Sequence, residues 1–346
     1  MSDADDQGNG VEPLNPRETS VLYGHAEAER ALLAAYRGAR FPHSWLIGGP
    51  VGIGKATLAY RMARFVLAHP DPRAPLVQTA TSLQVDADHP VARRVAAQAH
   101  GDLLVLERTI NEKTNKLYQD IRGDDGRRTV TFFGSTAGEG GWRVAIVDPV
   151  DELNPSGANA LLKILEEPPR RAVLLLVSHS AARVLPTIRS RCRLLALRPL
   201  AAEDVARAVA AAVGGRPDAA DIAAASAAAD GSVRRALALL DGDALDLRNC
   251  IMALLEHLPA VDPRALHALG DRLYGTDPAP LAAFVDTVNA WLSLRLTSEE
   301  APARRAQLAE VWEKVNVAAR DADTFNLERK PLVFNVFGWL AEASRG

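Results

Sequence analysis

The amino-acid sequence predicts an α/β domain with a parallel sheet, followed by a small helical domain and a second all-helical domain. Short apolar runs alternate with stretches of helical periodicity as far as Pro199, an alternation typical of a parallel sheet covered by helices. After Pro199 alanine becomes frequent and no further strand candidate follows. With 346 residues the chain exceeds one ordinary domain, so two or three domains are expected.

Composition narrows the class of protein. The net charge is -3, with 48% hydrophobic and 24% charged residues, which indicates a globular chain instead of a disordered or strongly basic one. The two cysteines, Cys192 and Cys250, are far apart and form no CxxC pair, which argues against a disulfide framework and a zinc cluster. No stretch approaches the ~20 apolar residues that span a bilayer. We therefore expect a cytoplasmic protein without a membrane segment.

The first elements of the α/β domain follow a polar N-terminal segment. Residues 1–18 are rich in Asp, Asn, Gly and Pro and lack an apolar period, so they are predicted to be a mobile tail. Helical spacing of apolar residues predicts a helix over Ala26–Tyr36, and the apolar run Ser44–Gly48 predicts a buried strand. After a glycine-rich loop, one apolar face predicts a helix that begins near Lys55.

Four more apolar runs predict the remaining strands of the sheet. Residues 69–95, broken by Pro and Asp, are predicted to be an irregular insertion, and residues 109–141 a polar connection. Asn154 before a proline is a helix start signal. The predicted strands are Asp102–Glu107, Arg143–Asp148, Ala172–Val177 and Arg193–Leu197. The predicted domains are residues 19–198, 199–244 and 245–346.

The loop after the first strand matches GxxxxGK, the P-loop pattern, in the strand-to-helix context that the motif needs. Backbone N–H groups of such a loop cradle phosphates and its lysine reaches the terminal ones, which makes ATP or ADP the candidate ligand. Ala56 stands where a Ser or Thr should bind Mg²⁺, so we expect weak or no Mg²⁺-dependent ATP binding. The alternative is a glycine turn kept for its geometry. The candidate residues are Gly49, Gly52, Gly54, Lys55 and Thr57.

A second departure from an active ATPase follows the third predicted strand. Asp148 ends that strand, where a carboxylate can hold a metal-bound water. An ATPase of this type needs a Glu at the next position to orient the attacking water, and Pro149 supplies no carboxylate. Asp151 and Glu152 lie farther along and are expected to cap backbone groups or to be solvated. We therefore expect no ATP hydrolysis by this chain alone.

Three more polar residues are candidates for contact with phosphate. Ser178 closes the fourth predicted strand, where it could sense a phosphate or simply form a turn. Arg191 precedes the fifth strand and could reach a phosphate on an adjacent subunit, the alternative being a solvated charge. Arg234 follows the expected helix cap Ser232, which would direct Arg234 toward a nucleotide, the alternative being a solvated helix face.

Several motifs, in order along the chain, resemble the AAA+ clamp-loader subunits of bacterial DNA polymerase III. They are GPVGIGKATLA, NALLKILEEPP, TIRSRC and GSVRRALALLD. The combination of NALLKILEEPP with SRC is specific to clamp loaders, and the Asp-Pro pair in place of Asp-Glu resembles the delta-prime type. The resemblance covers nearly the whole chain.

The resemblance implies an AAA+ P-loop domain, a lid domain and a collar domain that joins a heteropentameric ring with the motor (tau/gamma) and delta subunits. It implies that Arg191 is an arginine finger for the ATP site of the adjacent motor subunit and that Arg234 is a sensor-2 residue. It also implies a role in loading the sliding clamp on primed DNA. Many relatives carry a four-cysteine zinc module after the P-loop helix, but residues 69–95 contain no cysteine, so no zinc is expected.

Three alternatives remain open from the sequence. An ATP-hydrolysing motor subunit is disfavoured by Ala56 and Pro149. A P-loop kinase would need a Mg²⁺-binding hydroxyl and a compact lid instead of two helical domains. A purely structural ring member would differ from the delta-prime interpretation only in the role of Arg191.

Overall fold

The computed structural model describes residues 15–38, 40–108, 110–111, 116–117, 121, 123–134, 138, 141–214, 217–275 and 277–345. The chain divides into two compact units, the first ending at Leu237 and the second beginning at Ala238. The predicted mobile tail lies mostly outside the described residues. Its last part, from Asn15 to Glu18, forms a turn in which the Glu18 N–H donates to the Asn15 carbonyl at 2.9 Å.

The first unit contains seven described strands, five of which form one parallel sheet. The strands are β1 (Ser44–Gly48), β2 (Leu103–Glu107), β3 (Ile110–Asn111), β4 (Lys116–Leu117), β5 (Arg143–Asp148), β6 (Ala172–Ser178) and β7 (Arg193–Ala196). The order in the sheet is β2-β5-β6-β1-β7, and β3 and β4 pair separately as a short antiparallel ribbon. The predicted parallel sheet is therefore confirmed.

Ten described helices surround this sheet or follow it in the chain. They are α1 (Ala26–Arg37), α2 (Lys55–Ala68), α3 (Pro75–Thr79), α4 (Pro90–Ala96), α5 (Gly123–Gly134), α6 (Pro155–Glu166), α7 (Pro186–Arg189), α8 (Ala202–Val213), α9 (Ala219–Ala228) and α10 (Val233–Leu239). A short 3-10 turn, Val150–Glu152, lies between β5 and α6.

Both faces of the sheet are covered, which explains why its central strands read as continuous apolar runs. Every residue of β6 is buried. Val173 and Leu175 belong to a core cluster with α1, α2 and α4, whereas Leu174 and Leu176 belong to a cluster with α6 on the opposite face. Because side chains alternate along a strand, a run without polar residues places apolar groups on both faces.

Three helices occupy segments that the sequence predicted to be irregular or polar. The insertion 69–95 contains α3 and the beginning of α4, which start at Pro75 and Pro90. Proline suits the first helical position because its missing N–H is not needed there, so these prolines begin helices instead of preventing them. The predicted polar connection contains α5, whose Phe133 is buried against the sheet. The apolar residues of α5 all lie in its C-terminal half, so the sequence showed no helical period over the whole helix.

The second unit consists of helices in all its described elements, as predicted. They are α11 (Ala244–Glu256), α12 (Pro263–Arg272), α13 (Pro278–Ser298), α14 (Pro302–Thr324) and α15 (Arg329–Arg345). Their shared core includes Phe284, Leu292 and Phe337, each almost fully buried. Aspartates before Pro263 and Pro278 accept backbone N–H bonds and so define two helix starts. Of the helices that the structure describes, none is long and apolar enough to cross a bilayer.

Buried arginines fix the segment that precedes α1 against α2. Arg61 forms an ion pair with Glu29 at 2.6 Å, the side chains being 7% and 14% exposed. Arg61 also donates to the Ser20 carbonyl, and Arg64 donates to the Thr19 carbonyl at 2.5 Å. Glu29 in turn accepts the Leu83 N–H at 3.0 Å. One buried carboxylate therefore links α1, α2 and the chain after α3.

We expect Glu29→Ala to destabilise the first unit by about 3–5 kcal/mol, because it leaves the buried Arg61 charge uncompensated. Hydrogen exchange of the α2 amides in a urea titration measures this change. The matched control is Asp88→Ala, which breaks an exposed ion pair with Arg93 whose side chains are 67% and 88% exposed. The control should leave the exchange midpoint almost unchanged, and an equal effect of both variants would contradict the assignment.

Candidate functional site

The P-loop lies at the carboxyl edge of the sheet, between the end of β1 and the start of α2. Gly52 and Gly54 have φ angles of 79° and 95°, in the left-handed region where glycine is favoured. The α2 helix begins at Lys55, directly after this loop. The predicted strand, loop and helix are all present, so the loop has the local geometry of a phosphate cradle.

Lys55 is turned into the protein and is almost fully buried, at 3% exposure. Its Nζ donates a hydrogen bond of 2.5 Å to the Pro50 carbonyl of the same loop. Burial lowers the pKa of Lys55 to about 8, and the negative charges of Asp148 and Asp151 partly oppose that shift. The ammonium group is therefore bonded to its own loop, and the charges of the nearby carboxylates favour its protonated form.

Asp148 ends β5 opposite Lys55, as the sequence predicted. Burial raises the pKa of Asp148 to about 6, with smaller contributions from neighbouring carboxylates, while Lys55 opposes the shift. One of those carboxylates is Glu107, which pairs with Asp148 across β2 and β5. Two acidic side chains thus stand side by side at the strand ends facing the loop.

Asp151 and Glu152 do not line the cavity and have partners of their own. The Asp151 carboxylate accepts the backbone N–H of His179 at 3.0 Å, which ties the 3-10 turn to the end of β6. Glu152 pairs with Arg108 at 2.9 Å. The Asp151 contact is the backbone capping that the sequence predicted, whereas Glu152 is paired with Arg108 instead of being only solvated.

A cavity of about 440 Å³ opens over the loop and gathers most of the predicted residues. Its polar lining includes Lys55, Asp148 and Arg234. Apolar side chains of the segment before α1, of α8 and of α10 complete the lining. Its size and its mixed polar and apolar lining suit a small molecule with a phosphate and a flat ring. The predicted residues that line it are Gly52, Gly54, Lys55, Thr57, Asp148 and Arg234.

Two of the residues predicted for the nucleotide site, Gly49 and Ser178, do not line the cavity. Ser178 is fully buried, and its hydroxyl accepts the Ser180 N–H at 3.1 Å, so its contacts are those of a turn. Gly49 lies behind the loop, where its N–H donates to the Ser178 carbonyl at 3.3 Å. An added Cβ at Gly49 would meet the Leu197 carbonyl oxygen at 2.6 Å. Gly49 therefore permits close packing between β1 and the chain after β7.

The start of α10 packs directly on the P-loop and brings Arg234 to the cavity. The Val233 N–H donates to the Gly52 carbonyl at 2.9 Å. The Ser232 hydroxyl accepts the Arg235 N–H at 3.2 Å, as expected of a helix cap. A Cβ on Gly52 would lie 2.6 Å from the Arg234 Cβ, so only glycine allows this approach.

Two side chains of the cavity were missed in the sequence. Glu107 could have been found, because it ends a predicted strand next to the one that Asp148 ends, and parallel strands end at the same edge. His179 lines the cavity, and burial lowers its pKa, with the Lys55 charge adding to the shift. Its position after β6 carries no sequence signal beyond the end of an apolar run.

Arg191 lies away from the cavity, in the turn between α7 and β7. Its side chain is 37% exposed and pairs with Glu166 at 2.8 Å. Its Nη1 donates to the Thr187 carbonyl at 2.9 Å. The Arg191 carbonyl accepts the Ser44 hydroxyl at 2.8 Å, which ties the turn to the first residue of β1. The guanidinium is thus presented at the surface on a fixed backbone.

Comparison with known proteins places this geometry in a family. The family model described as DNA polymerase III, delta subunit, matches residues 24–201. The chain is similar to DNA polymerase III subunit delta' of Pseudomonas aeruginosa, with 40% identity over 154 residues, 44% of this chain and 42% of that protein. It is also similar to subunit gamma/tau of Mycobacterium bovis, with 28% identity over 180 residues, 51% of this chain and 28% of that protein.

A solved structure also resembles this chain. The Thermotoga maritima RuvB Holliday junction branch migration motor matches with 15% identity and a TM-score of 0.44, covering 80% of this chain and 79% of that one. The aligned part spans less than half the length of the curated relatives described above. Because the family model matches more than half of the chain and includes the P-loop, the strand ends and Arg191, the chain belongs to the DNA polymerase III delta-subunit family.

Proposed function

We propose that this chain acts as a delta-prime-type clamp-loader subunit that does not hydrolyse ATP itself and supplies Arg191 in trans to the ATP site of an adjacent motor subunit. It joins a cytoplasmic heteropentameric ring with tau/gamma and delta subunits. The ring opens a sliding clamp and loads it on primed DNA. The isolated chain has no ATPase activity and needs no zinc.

The contrast between Arg191 and the chain's own cavity carries the proposal. The guanidinium is surface-exposed on a fixed turn. In the cavity, Ala56 replaces the hydroxyl residue that binds Mg²⁺, and Pro149 replaces the glutamate that orients the attacking water. An arginine that reaches a neighbour's triphosphate stabilises the charge that develops during phosphoryl transfer. The chain is thus suited to complete another subunit's site and unsuited to run its own.

The charge balance of the cavity supports weak nucleotide binding. Lys55 is bonded to its own loop, so a phosphate would have to displace the Pro50 carbonyl. Glu107 and Asp148 line the same cavity and repel phosphate oxygens unless a metal ion neutralises them. Ala56 offers no oxygen to that metal. A triphosphate therefore meets two carboxylates without the ion that normally screens them.

The ATP-hydrolysing motor type is the second candidate, and the similarity to gamma/tau proteins is the observation that favours it. It requires this chain's own site to hydrolyse ATP. ATP turnover by the purified chain well above background would therefore replace the delta-prime proposal.

We expect the chain to bind ATP weakly or not at all, with an affinity that Mg²⁺ changes no more than a fewfold, because Ala56 cannot hold the metal. Isothermal titration calorimetry with and without Mg²⁺ measures this directly. Binding that is tight and strengthened by Mg²⁺ would refute the expectation.

Asp148→Asn should strengthen the binding of ATP measured without Mg²⁺, since it removes a negative charge from the phosphate end of the cavity. Burial raises the pKa of Asp148 to about 6, so the aspartate is mostly charged at pH 8 and mostly neutral at pH 5. The gain should therefore be present at pH 8 and largely lost at pH 5. The titration is repeated with Mg²⁺ at pH 8. In a cavity that works through Mg²⁺, Asp148→Asn would weaken ATP binding in that second titration, which would contradict our assignment.

We expect Arg191→Ala to lower the DNA- and clamp-stimulated ATPase of the reconstituted loader by about 10³- to 10⁵-fold, the range for an arginine finger. Ring assembly is checked by gel filtration. Arg183→Ala, an exposed arginine between β6 and α7, serves as the matched control and should leave the rate unchanged. An unchanged rate in Arg191→Ala with intact rings would make this chain a purely structural ring member.

A further inference from the structure

The Arg191 guanidinium is held at both of its terminal nitrogens. Nη2 lies 2.8 Å from Glu166 Oε1, and Nη1 donates to the Thr187 carbonyl at 2.9 Å, with the Ser190 hydroxyl 3.4 Å away. A planar group that is fixed at two nitrogens has its plane fixed as well. Glu166 is the one charged member among these contacts, and it comes from a different element of the fold.

Both ends of this contact are on rigid supports. Glu166 is the last residue of α6, whose start is capped by the Asn154 side chain accepting the Gly157 N–H at 2.7 Å. Leu161 and Leu165 bury the inner face of α6 against the sheet. Arg191 is fixed to β1 through the Ser44 hydroxyl. The backbone positions from which the carboxylate and the guanidinium extend are therefore set by the fold and not by two mobile loops.

The contact leaves the guanidinium able to bind a phosphate. An arginine has five N–H donors, and the contacts with Glu166, Thr187 and Ser190 engage at most three of them. The side chain is 37% exposed, so the remaining donors have access to a ligand outside the chain. A phosphate can therefore bind without displacing Glu166.

We infer that Glu166 is a positioning residue for Arg191: it orients the guanidinium so that its free donors meet a phosphate of the adjacent subunit. This inference rests on the proposed function of Arg191. A fixed guanidinium loses less rotamer entropy when it binds than a free one. Because exposed ion pairs are weak, the expected benefit is modest, about three- to fivefold in rate. It should act on kcat, since Arg191 contributes at the transition state.

The test is the DNA- and clamp-stimulated ATPase of the reconstituted loader, with kcat and KM for ATP measured for Glu166→Ala, Arg191→Ala and the double variant. Glu166→Ala should lower kcat about three- to fivefold with KM unchanged and rings intact. Glu166→Gln keeps an acceptor oxygen and should restore most of the rate. Glu167→Ala, the neighbouring exposed glutamate, is the control and should match the wild type. In the Arg191→Ala background, Glu166→Ala should have no further effect.

The outcomes separate this inference from the proposal beneath it. If Arg191→Ala leaves the rate unchanged, the trans role of Arg191 fails and the role of Glu166 fails with it. If Arg191→Ala lowers the rate but Glu166→Ala does not, or raises it, only the positioning role is overturned. An equal effect of Glu166→Ala in both backgrounds would mean that Glu166 acts through the fold and not through Arg191, which also overturns it.

Discussion

The burial of the parallel sheet on both faces is the constraint on which the rest of the first unit depends. Because β5 and β6 are covered by α2 on one side and α6 on the other, neither face is open to a ligand. Polar groups can collect only where the strands end. Three polar sites that lie far apart in the sequence therefore meet at one edge. They are the P-loop after β1, Asp148 at the end of β5 and Glu107 at the end of β2.

The same sheet separates the cavity from Arg191. The cavity lies at the carboxyl ends of the strands, whereas Arg191 lies in the turn that leads into the edge strand β7, beside the start of β1. A residue at the beginning of strands cannot serve the cavity at their ends. The cavity and the Arg191 side chain therefore lie at opposite ends of the strands.

The sequence predicted the five strands of the parallel sheet well, because buried parallel strands are apolar runs with distinct ends, but it did not predict the β3–β4 ribbon. It predicted α3 and α4 poorly, since Pro75 and Pro90 read as breaks although they stand at first helical positions. In the site, local patterns located Lys55 and Asp148, but Ser178 was indistinguishable from its neighbour His179, which is the one that lines the cavity. Which of two adjacent residues faces a cavity depends on the exact residue at which the strand ends, and the apolar periodicity of the sequence does not show that residue.

Two ion pairs of the first unit, Arg61–Glu29 and Arg191–Glu166, will respond differently to ionic strength. The Arg61–Glu29 pair is buried and anchors the chain before α1, one wall of the cavity, so dissolved ions have little access to it. The Arg191–Glu166 pair is exposed, and counterions compete for both partners. Raising the salt concentration therefore loosens the exposed Arg191 side chain long before it disturbs the wall of the cavity, so the two regions of the first unit differ in their sensitivity to ionic strength.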